Sequence, residues 1–596
     1  MMTAIAFLAL ASAHAAPDFG DLRRMARAQD PRDLASVKSV LSADDPALRG
    51  EAAWALGQLG LAETPDGGPE PETLKAARED AAAALLPLTG DLDAGVRALA
   101  VEALGKSGGA GNEADLRAAA TDADARVRAE AALALFRLRQ LKRVPEYSTA
   151  AVSVLLSLAE DKDPEVRWRA VYAFSRWPEP RAAEVLARAQ RAADGRERLF
   201  AARALGKLGV APDAALLADP DPSTRAEAVA AYGAAKAADR LPAAVFGDES
   251  AHARAAAADA AALSRSSAPA VLEALETMAE KDSPMPRGRA LIALAALRGS
   301  SETARLARAR EDARPWVRAR AYEATALLPD AGPLLQKGLA DPDMGVASAA
   351  LEAILRSTGP FADGVLAGVL RDPAAPLELL GTAADAAAER EPIPVDALLD
   401  ALRGAAPGLT AEVRGSIRKA LKAAAAADAT KADAVKAALE RYPEKTDKPR
   451  KYKRLDAPAT VILKTEKGEV ELALDDIEAP NHAASVVDSV RRGLYEGTTW
   501  HRVVTAFVVQ GGDPRGTGWG DDGWRLADEI GRRRFIRGTL GMPKAGKDTG
   551  GCQLFVSLVP TPHLDGRYTA FGQVTAGLDV LDRLEPGDKI LSARLK

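Results

Sequence analysis

The chain has 596 residues, too many for one hydrophobic core, so two or more domains or a domain with a repeat array are expected. A net charge of −5 gives no electrostatic basis for binding nucleic acid. Hydrophobic residues make up 47% but aromatics only 4%, so alanine supplies much of the apolar surface and closely packed helices are favoured. The single cysteine, Cys552, excludes an intramolecular disulfide, and the five scattered histidines (His14, His252, His482, His501, His563) lack metal-ligand spacing.

The opening residues, MMTAIAFLALASAHAAPDF, carry an apolar run from Ala4 to Ala11, followed by small residues at Ala13 and Ala15. This pattern predicts a signal peptide over 1–15 and an exported protein, periplasmic or extracellular, although no Lys or Arg precedes the run. The run is too short to span a bilayer, and no transmembrane segment is expected elsewhere.

Over residues 17–441 a phrase recurs: DLDAGVRALAVEALGKSG from Asp91, DADARVRAEAALALFRLR from Asp122, DKDPEVRWRAVYAFSRW from Asp161 and DPDPSTRAEAVAAYGAAK from Asp219. Its arginine falls at Arg97, Arg128, Arg167, Arg198, Arg225, Arg254, Arg287 and Arg318, with steps between 27 (Arg198 to Arg225) and 39 (Arg128 to Arg167). A period near thirty denotes stacked supersecondary units. The Asp, Asp-Pro or Ser at each start suits a helix cap, and the A-x-x-A-L spacing lays small residues along one face. Because Arg and Asp recur in almost every unit, they read as an inter-repeat pair or cap and not as catalytic groups. The repeats resemble HEAT repeats, which implies an all-α solenoid with a surface for protein partners. The array is expected to add nothing to any chemistry elsewhere in the chain.

Residues 442–457 are basic and proline-containing, which reads as a solvated linker. From 458 to 596 the apolar period becomes two. TVILKTEKGEVELAL predicts two strands joined near Lys467 and Gly468, and NHAASVVDSVRRG predicts a helix capped by Asn481 and ended by Gly493. Short strands with glycine-rich turns follow, the pattern of an antiparallel β-barrel with capping helices.

Within this region WHRVVTAFVVQGGDP reads as a strand carrying Arg502 and Gln510 on either side of Phe507, with Phe507 and Val509 on one face and Val508 and Gln510 on the other. With LYEGTT before it, GTGWG after it, and the downstream segments RGTLGMPKAGKDTGGCQLFVSL and PHLDGRYTAFGQVTAGLDVLD, it resembles the cyclophilin-type peptidyl-prolyl isomerases. The resemblance implies that Arg502 is the catalytic arginine and Gln510 a contact to the substrate backbone. It also implies that Phe507 is the floor of a proline pocket, Val508, Phe555 and Leu564 its walls, and Gln553 a supporting polar residue. Four positions depart from the family pattern. Lys544 stands for asparagine but keeps the main-chain groups that make the family contact. Pro543 stands for alanine and lacks a donor. His563, for tryptophan, is smaller and more polar, and Tyr568, for histidine, can still close the rim. His501 and Cys552 read as structural residues.

These residue types suit rotation about an X-Pro amide, whose barrier is about 18–20 kcal/mol. Twisting the amide returns a lone pair to the proline nitrogen, and a guanidinium aimed there favours the transition state. A gain of five decades requires ~7 kcal/mol, whereas one charged hydrogen bond contributes about 1.5–3 kcal/mol. The apolar pocket must therefore supply the rest. No cofactor or metal is implied. The expected partners are proline-containing proteins or peptides at the barrel and protein partners on the solenoid. A barrel that binds such segments with little turnover is the alternative.

Overall fold

The computed structural model describes residues 16–62, 70–404, 411–442 and 448–596. The expected signal peptide, 1–15, and residues 443–447 of the basic segment lie outside them. The described residues divide into two compact units, one made of those within 16–62 and 70–158, the other of those from 159 onward. The division falls inside the repeat array, not at the basic segment, and the second unit joins the later repeats with the barrel.

In the first unit the long helices Pro46–Leu59, Ala94–Ser107 and Ala125–Gln140 each begin at an aspartate whose side chain accepts a first-turn N–H: Asp45 from Ala47, Asp93 from Val96, Asp124 from Arg126. Small residues let these helices approach closely. A Cβ on Gly105 would lie 2.5 Å from Ala134 Cα, so the glycine of the A-L-G phrase is required by the neighbouring backbone. Trp54, Leu104 and Phe136 fill the remaining core.

The repeated arginine ties one repeat to the next. In the first unit Arg49 forks onto Asp91, with both bonds 2.8 Å. Arg97 forks onto Asp122 at 2.7 and 2.9 Å. In the second unit the pairs are Arg167–Glu197, Arg198–Asp219, Arg225–Asp248, Arg254–Asp282, Arg287–Asp312 and Arg318–Asp341. In several repeats the same guanidinium also donates to the carbonyl six residues upstream, as Arg225 does to Asp219 and Arg254 to Asp248. The two aspartates of each D-x-D turn thus divide the work. Asp219 receives Arg198 and the N–H of Asp221, while Asp221 caps the helix Pro222–Ala234.

The partner of the long helix varies: it is a full helix in some repeats, as in Glu72–Leu85 and Pro269–Lys281, and much shorter in others. The short form is the seven-residue helix Ala183–Ala189 in one repeat and 3-10 turns, Ala214–Ala218 and Ala243–Gly247, in two more. Turn residues such as Asp213 and Pro242 leave too few residues for a second long helix.

The barrel has eight antiparallel strands: β1 (Thr460–Thr465), β2 (Gly468–Leu474), β3 (Arg502–Val504), β4 (Val508–Gly511), β5 (Thr539–Gly541), β6 (Leu554–Ser557), β7 (Ala570–Ala576) and β8 (Ile590–Leu595). Their order is β3-β4-β6-β5-β7-β2-β1-β8. The ends meet where Trp500 N–H donates to Asp588 O at 2.9 Å and Ile590 N–H to Thr498 O at 2.8 Å, which links the approach to β3 with the approach to β8.

The helix Pro480–Arg491 buries Ala483, Val486 and Val487. It starts at Pro480, with Ala479 at the cap position, so Asn481 is not the expected cap. The Asn481 carboxamide is engaged elsewhere, accepting from Tyr452 N–H at 2.7 Å and donating to Arg450 O at 3.0 Å. The basic segment is correspondingly not free in solvent along its whole length. Arg450 N–H donates to Arg525 O at 2.7 Å, and the Arg450 guanidinium lies 4.7 Å from the centroids of both Tyr452 and Trp524. Its other described charged side chains, Lys448, Lys451, Lys453, Arg454 and Asp456, remain exposed.

Arg225 is nearly buried and holds Asp248 as well as its own turn. Arg225→Ala is expected to cost about 3 kcal/mol by leaving these acceptors unpaired. Removing the exposed Arg191–Asp213 pair by Arg191→Ala should cost at most about 1 kcal/mol. Hydrogen exchange should locate the Arg225 loss in the two adjoining repeats, and equal protection in the two variants would refute a structural role for the ladder.

Candidate active site

The segment expected as one strand is a tight hairpin. β3 and β4 pair with Arg502 opposite Gln510, and Thr505, Ala506 and Phe507 form the turn, with Phe507 N–H donating to Val504 O at 3.1 Å. Ala506 has φ 52°, a left-handed conformation that costs a non-glycine residue about 1–2 kcal/mol. The turn swings Phe507 out of strand alternation. A pattern of period two cannot show this, because a positive φ at alanine has no sequence signal.

Across the sheet, Arg502 stands opposite Gln510, Gln510 opposite Phe555 and Phe555 opposite Gly541, so four strands set these residues in one row. Gly541 is obligatory, because a Cβ there would lie 2.1 Å from the Phe555 ring. Val508, Phe535, Phe555, Leu564 and Ala570 form a buried cluster with Phe507 and Tyr568 at its edge. Phe535 stacks on Phe555 at 5.5 Å, and Tyr568 meets Phe555 edge-on at 6.0 Å. The result is an apolar cup rimmed by two half-buried aromatics.

Arg502 lies 5.7 Å from the Phe507 centroid and forms no ion pair among the described residues. Its side chain reaches solvent, while partial desolvation of the guanidinium lowers its pKa, opposed by Tyr568. A donor without an internal acceptor is free to bond a substrate. Gln510 Nε2 donates to Gln553 Oε1 at 3.0 Å, and Gln553 Nε2 donates to the carbonyls of Gly518 and Gly520, each at 3.0 Å. That chain ties the row to the 515–520 loop, which buried Asp513 organises by accepting the N–H groups of Thr517 and Gly520 at 3.0 and 3.2 Å.

The four divergent positions find different uses. Lys544 turns its side chain inward to Asp528 at 2.7 Å, with both groups nearly buried, and lies 5.8 Å from the Tyr568 ring. Pro543 is half-buried beside Met542, whose N–H bonds Thr569 O at 3.0 Å. His563 is not simply a smaller pocket wall. It stacks on Phe507 at 5.4 Å and shares a 2.8 Å hydrogen bond between Nδ1 and the hydroxyl of Tyr172, in the helix Pro164–Arg176.

The array and the barrel are in direct contact beside the pocket. Arg203 of the helix Gly195–Lys207 donates to Ala506 O at 2.8 Å, bracing the strained turn that aims Phe507. His252 bonds Thr505 Oγ1 at 2.9 Å and Leu584 O at 3.1 Å. Glu585 accepts Met285 N–H at 2.8 Å, capping the helix Pro284–Arg298 from the barrel. On the loop past Gly512, Arg515 pairs with buried Glu378 at 3.0 Å, and Trp519 covers Gly381, where a Cβ would lie 2.9 Å from its ring. One signal for this junction is present in the sequence. In a chain so poor in aromatics, a single repeat carries Trp168, Tyr172, Phe174 and Trp177. Phe535, between arginines and Ile536, carried no comparable mark.

His501 lies against Gly518, a Cβ on which would be 3.7 Å from its ring, and burial lowers its pKa. Cys552 is buried, which pushes its thiol up. Among the described residues no cluster of metal-binding side chains occurs, and no helix is long and apolar enough to cross a membrane.

A free arginine over an apolar aromatic cup, on an eight-stranded antiparallel barrel joined to a helical repeat array, defines a repeat-bearing barrel isomerase. The chain belongs to the cyclophilin-type peptidyl-prolyl cis-trans isomerases: the family model "Cyclophilin type peptidyl-prolyl cis-trans isomerase/CLD" matches residues 460–594, and a model of HEAT repeats matches 116–206. The chain is similar to a peptidyl-prolyl cis-trans isomerase of Synechococcus elongatus, 45% identical over 136 residues, covering 22% of this chain and 94% of that one. It is also similar to one from Helicobacter pylori strain 26695, 42% identical over 146 residues, covering 24% and 90%. Among solved structures, a Cryptosporidium parvum cyclophilin type peptidyl-prolyl cis-trans isomerase is 26% identical, covering 24% of this chain and 98% of that one with a TM-score of 0.23.

Burial and the nearby Arg176, Arg567 and Arg203 push the His563 pKa down to about 3. The imidazole is neutral when folded but gains a proton in the unfolded chain below the ordinary value of about 6.5. Its contribution to stability is complete above that value and is lost as pH falls toward 3, by up to about 1.4 kcal/mol per pH unit. His563→Gln should flatten the pH dependence of unfolding free energy by up to one proton between pH 6.5 and 4. Identical slopes in wild type and variant would show that His563 is not held neutral.

Proposed function

We propose that the barrel isomerises X-Pro bonds of polypeptide clients with Arg502 as the catalytic residue, Gln510 as the backbone contact, and Phe507, Val508, Phe555, Leu564 and Tyr568 as the proline pocket. The observation that carries this reading is the unpaired Arg502 guanidinium at the lip of the cup, in register with Gln510 and Phe555. A proline ring seated in the cup would present its amide nitrogen to the guanidinium. The bond is favoured as the nitrogen becomes pyramidal, and the apolar surround disfavours the charge-separated planar amide. Gln510 lies between the two and would hold the chain in register, supported through Gln553. Lys544, with its side chain committed to Asp528, would contribute only its main chain.

Export and client recruitment belong to the same proposal. The apolar N-terminal run with Ala13 and Ala15 supports an exported setting. The array supports recruitment, since a tethered client has a raised effective concentration at the pocket. Intact-mass measurement of natively expressed protein should find a chain beginning at Ala16 in an extracytoplasmic fraction. An unprocessed cytoplasmic chain would exclude export.

Arg502→Ala in the full-length protein is expected to lower kcat/KM for a short X-Pro peptide by at least about two decades while leaving the unfolding transition in place. A coupled proline-isomerisation assay with a thermal melt measures both. Wild-type rates no faster than the uncatalysed reaction would end the catalytic reading. On a proline-limited refolding client, the full chain should exceed a 445–596 fragment by roughly two decades. Equal rates would leave the array as a brace alone.

A further inference from the structure

Where the array helices Pro164–Arg176, Gly195–Lys207 and Pro222–Ala234 meet the Thr505–Phe507 turn and the Pro560–His563 segment, they enclose an open cavity of about 550 Å³. That size falls in the range of ligand sites. Phe507 and His563 form part of its wall. Phe507 also edges the apolar cup, so the cavity begins where the proline pocket ends.

The charge of the lining is one-sided. Arg176, Arg203 and Lys207 face a single acid, Glu227. That acid is committed to Arg203, whose Nη2 bonds Glu227 Oε1 at 2.8 Å. Arg176 and Lys207 have no ion-pair partner among the described residues, and the Lys207 ammonium reaches only the main-chain oxygen of Arg176 at 3.4 Å. His563 is neutral in this setting and offsets nothing. Burial together with Arg176 and Arg203 brings the Lys207 pKa down to about 8, so a bound anion would relieve the crowding of cations. Two unpaired cations beside an apolar wall suit a flexible segment bearing carboxylates, which can lay its backbone along Phe507 and His563 and its acid toward the array.

We propose that this cleft is a specificity subsite, built jointly by array and barrel, for Asp or Glu side chains flanking the target proline of a polypeptide substrate. The inference rests on the isomerase reading above and extends it by naming a substrate class. It also gives the docking of the array a chemical consequence. A barrel without the helices Pro164–Arg176 and Gly195–Lys207 lacks every cation of the cleft.

The test uses full-length protein and X-Pro peptides carrying Glu, Ala or Lys at each of the four positions before and after the proline, with turnover and fluorescence-anisotropy binding read in parallel. At one or two adjoining positions Glu should exceed Lys by about tenfold in kcat/KM at low ionic strength, and the preference should shrink to about twofold in 0.5 M salt. Lys207→Glu should reverse the preference, and Arg176→Gln with Lys207→Gln should abolish it. No charge preference at any position, or one that survives the double variant or high salt, would overturn the proposal. The salt series on wild-type protein keeps the test valid should a variant misfold. Charge-selective binding without turnover would refute the isomerase reading and leave the subsite standing, whereas turnover without selectivity would do the reverse.

Discussion

Stacking of the repeats between Arg49 and Arg318 depends on one bracket: an arginine near the start of the long helix that grips its own turn through a carbonyl and the next repeat through a carboxylate. Arg198, Arg225 and Arg254 each do this with their guanidinium shared between two turns. Small-residue helices offer few interlocking side chains to set their register. A Cβ on Gly233 would lie 2.6 Å from Ala260 Cα, which shows how nearly the backbones touch. A bidentate charged pair supplies the directional constraint that such flat faces lack. Register then decides where Tyr172, Arg203, His252 and Met285 arrive, and all four contact the barrel.

The barrel has adapted to those arrivals. Ala506 adopts a left-handed turn whose carbonyl meets Arg203, and the same turn places Phe507 between the Arg502 guanidinium and the His563 ring. Of the four residues that depart from the family pattern, His563 meets the array and Lys544 pairs within the barrel. A histidine at 563 can bond the Tyr172 hydroxyl through Nδ1 while its ring still covers Phe507. Lys544 fills a buried position by pairing with Asp528, an arrangement in which each charge offsets the desolvation of the other. Trp519 and Arg515 extend from the loop that Gln553 holds, so the polar side of the active site is also braced by the array.

An isomerase of this kind needs no nucleophile and no stored energy, only a pocket whose shape persists while one dihedral turns. Under the proposed roles of Phe507 and Gln510, rigidity around them would be a functional property. The array contributes contacts to the barrel's main chain from Arg203 and His252, which do not depend on the client.

Much was determined by sequence alone. The period of the arginines, the capping aspartates and the change to two-residue alternation after residue 458 are local signals, and local hydrogen bonding realises them directly. The segments around Arg502 and Phe555 singled out Arg502, Gln510 and Phe555, and strand pairing sets the three in one row. Tertiary structure decided what residues hundreds of positions apart do to one another. That Phe507 leaves its strand, that Asn481 serves the basic segment and not its helix, and that His563 answers to Tyr172 all depend on long-range partners. The physical reason is that a side chain's role is set by what it is buried against, and burial between array and barrel is a property of the packed chain, not of any window along it.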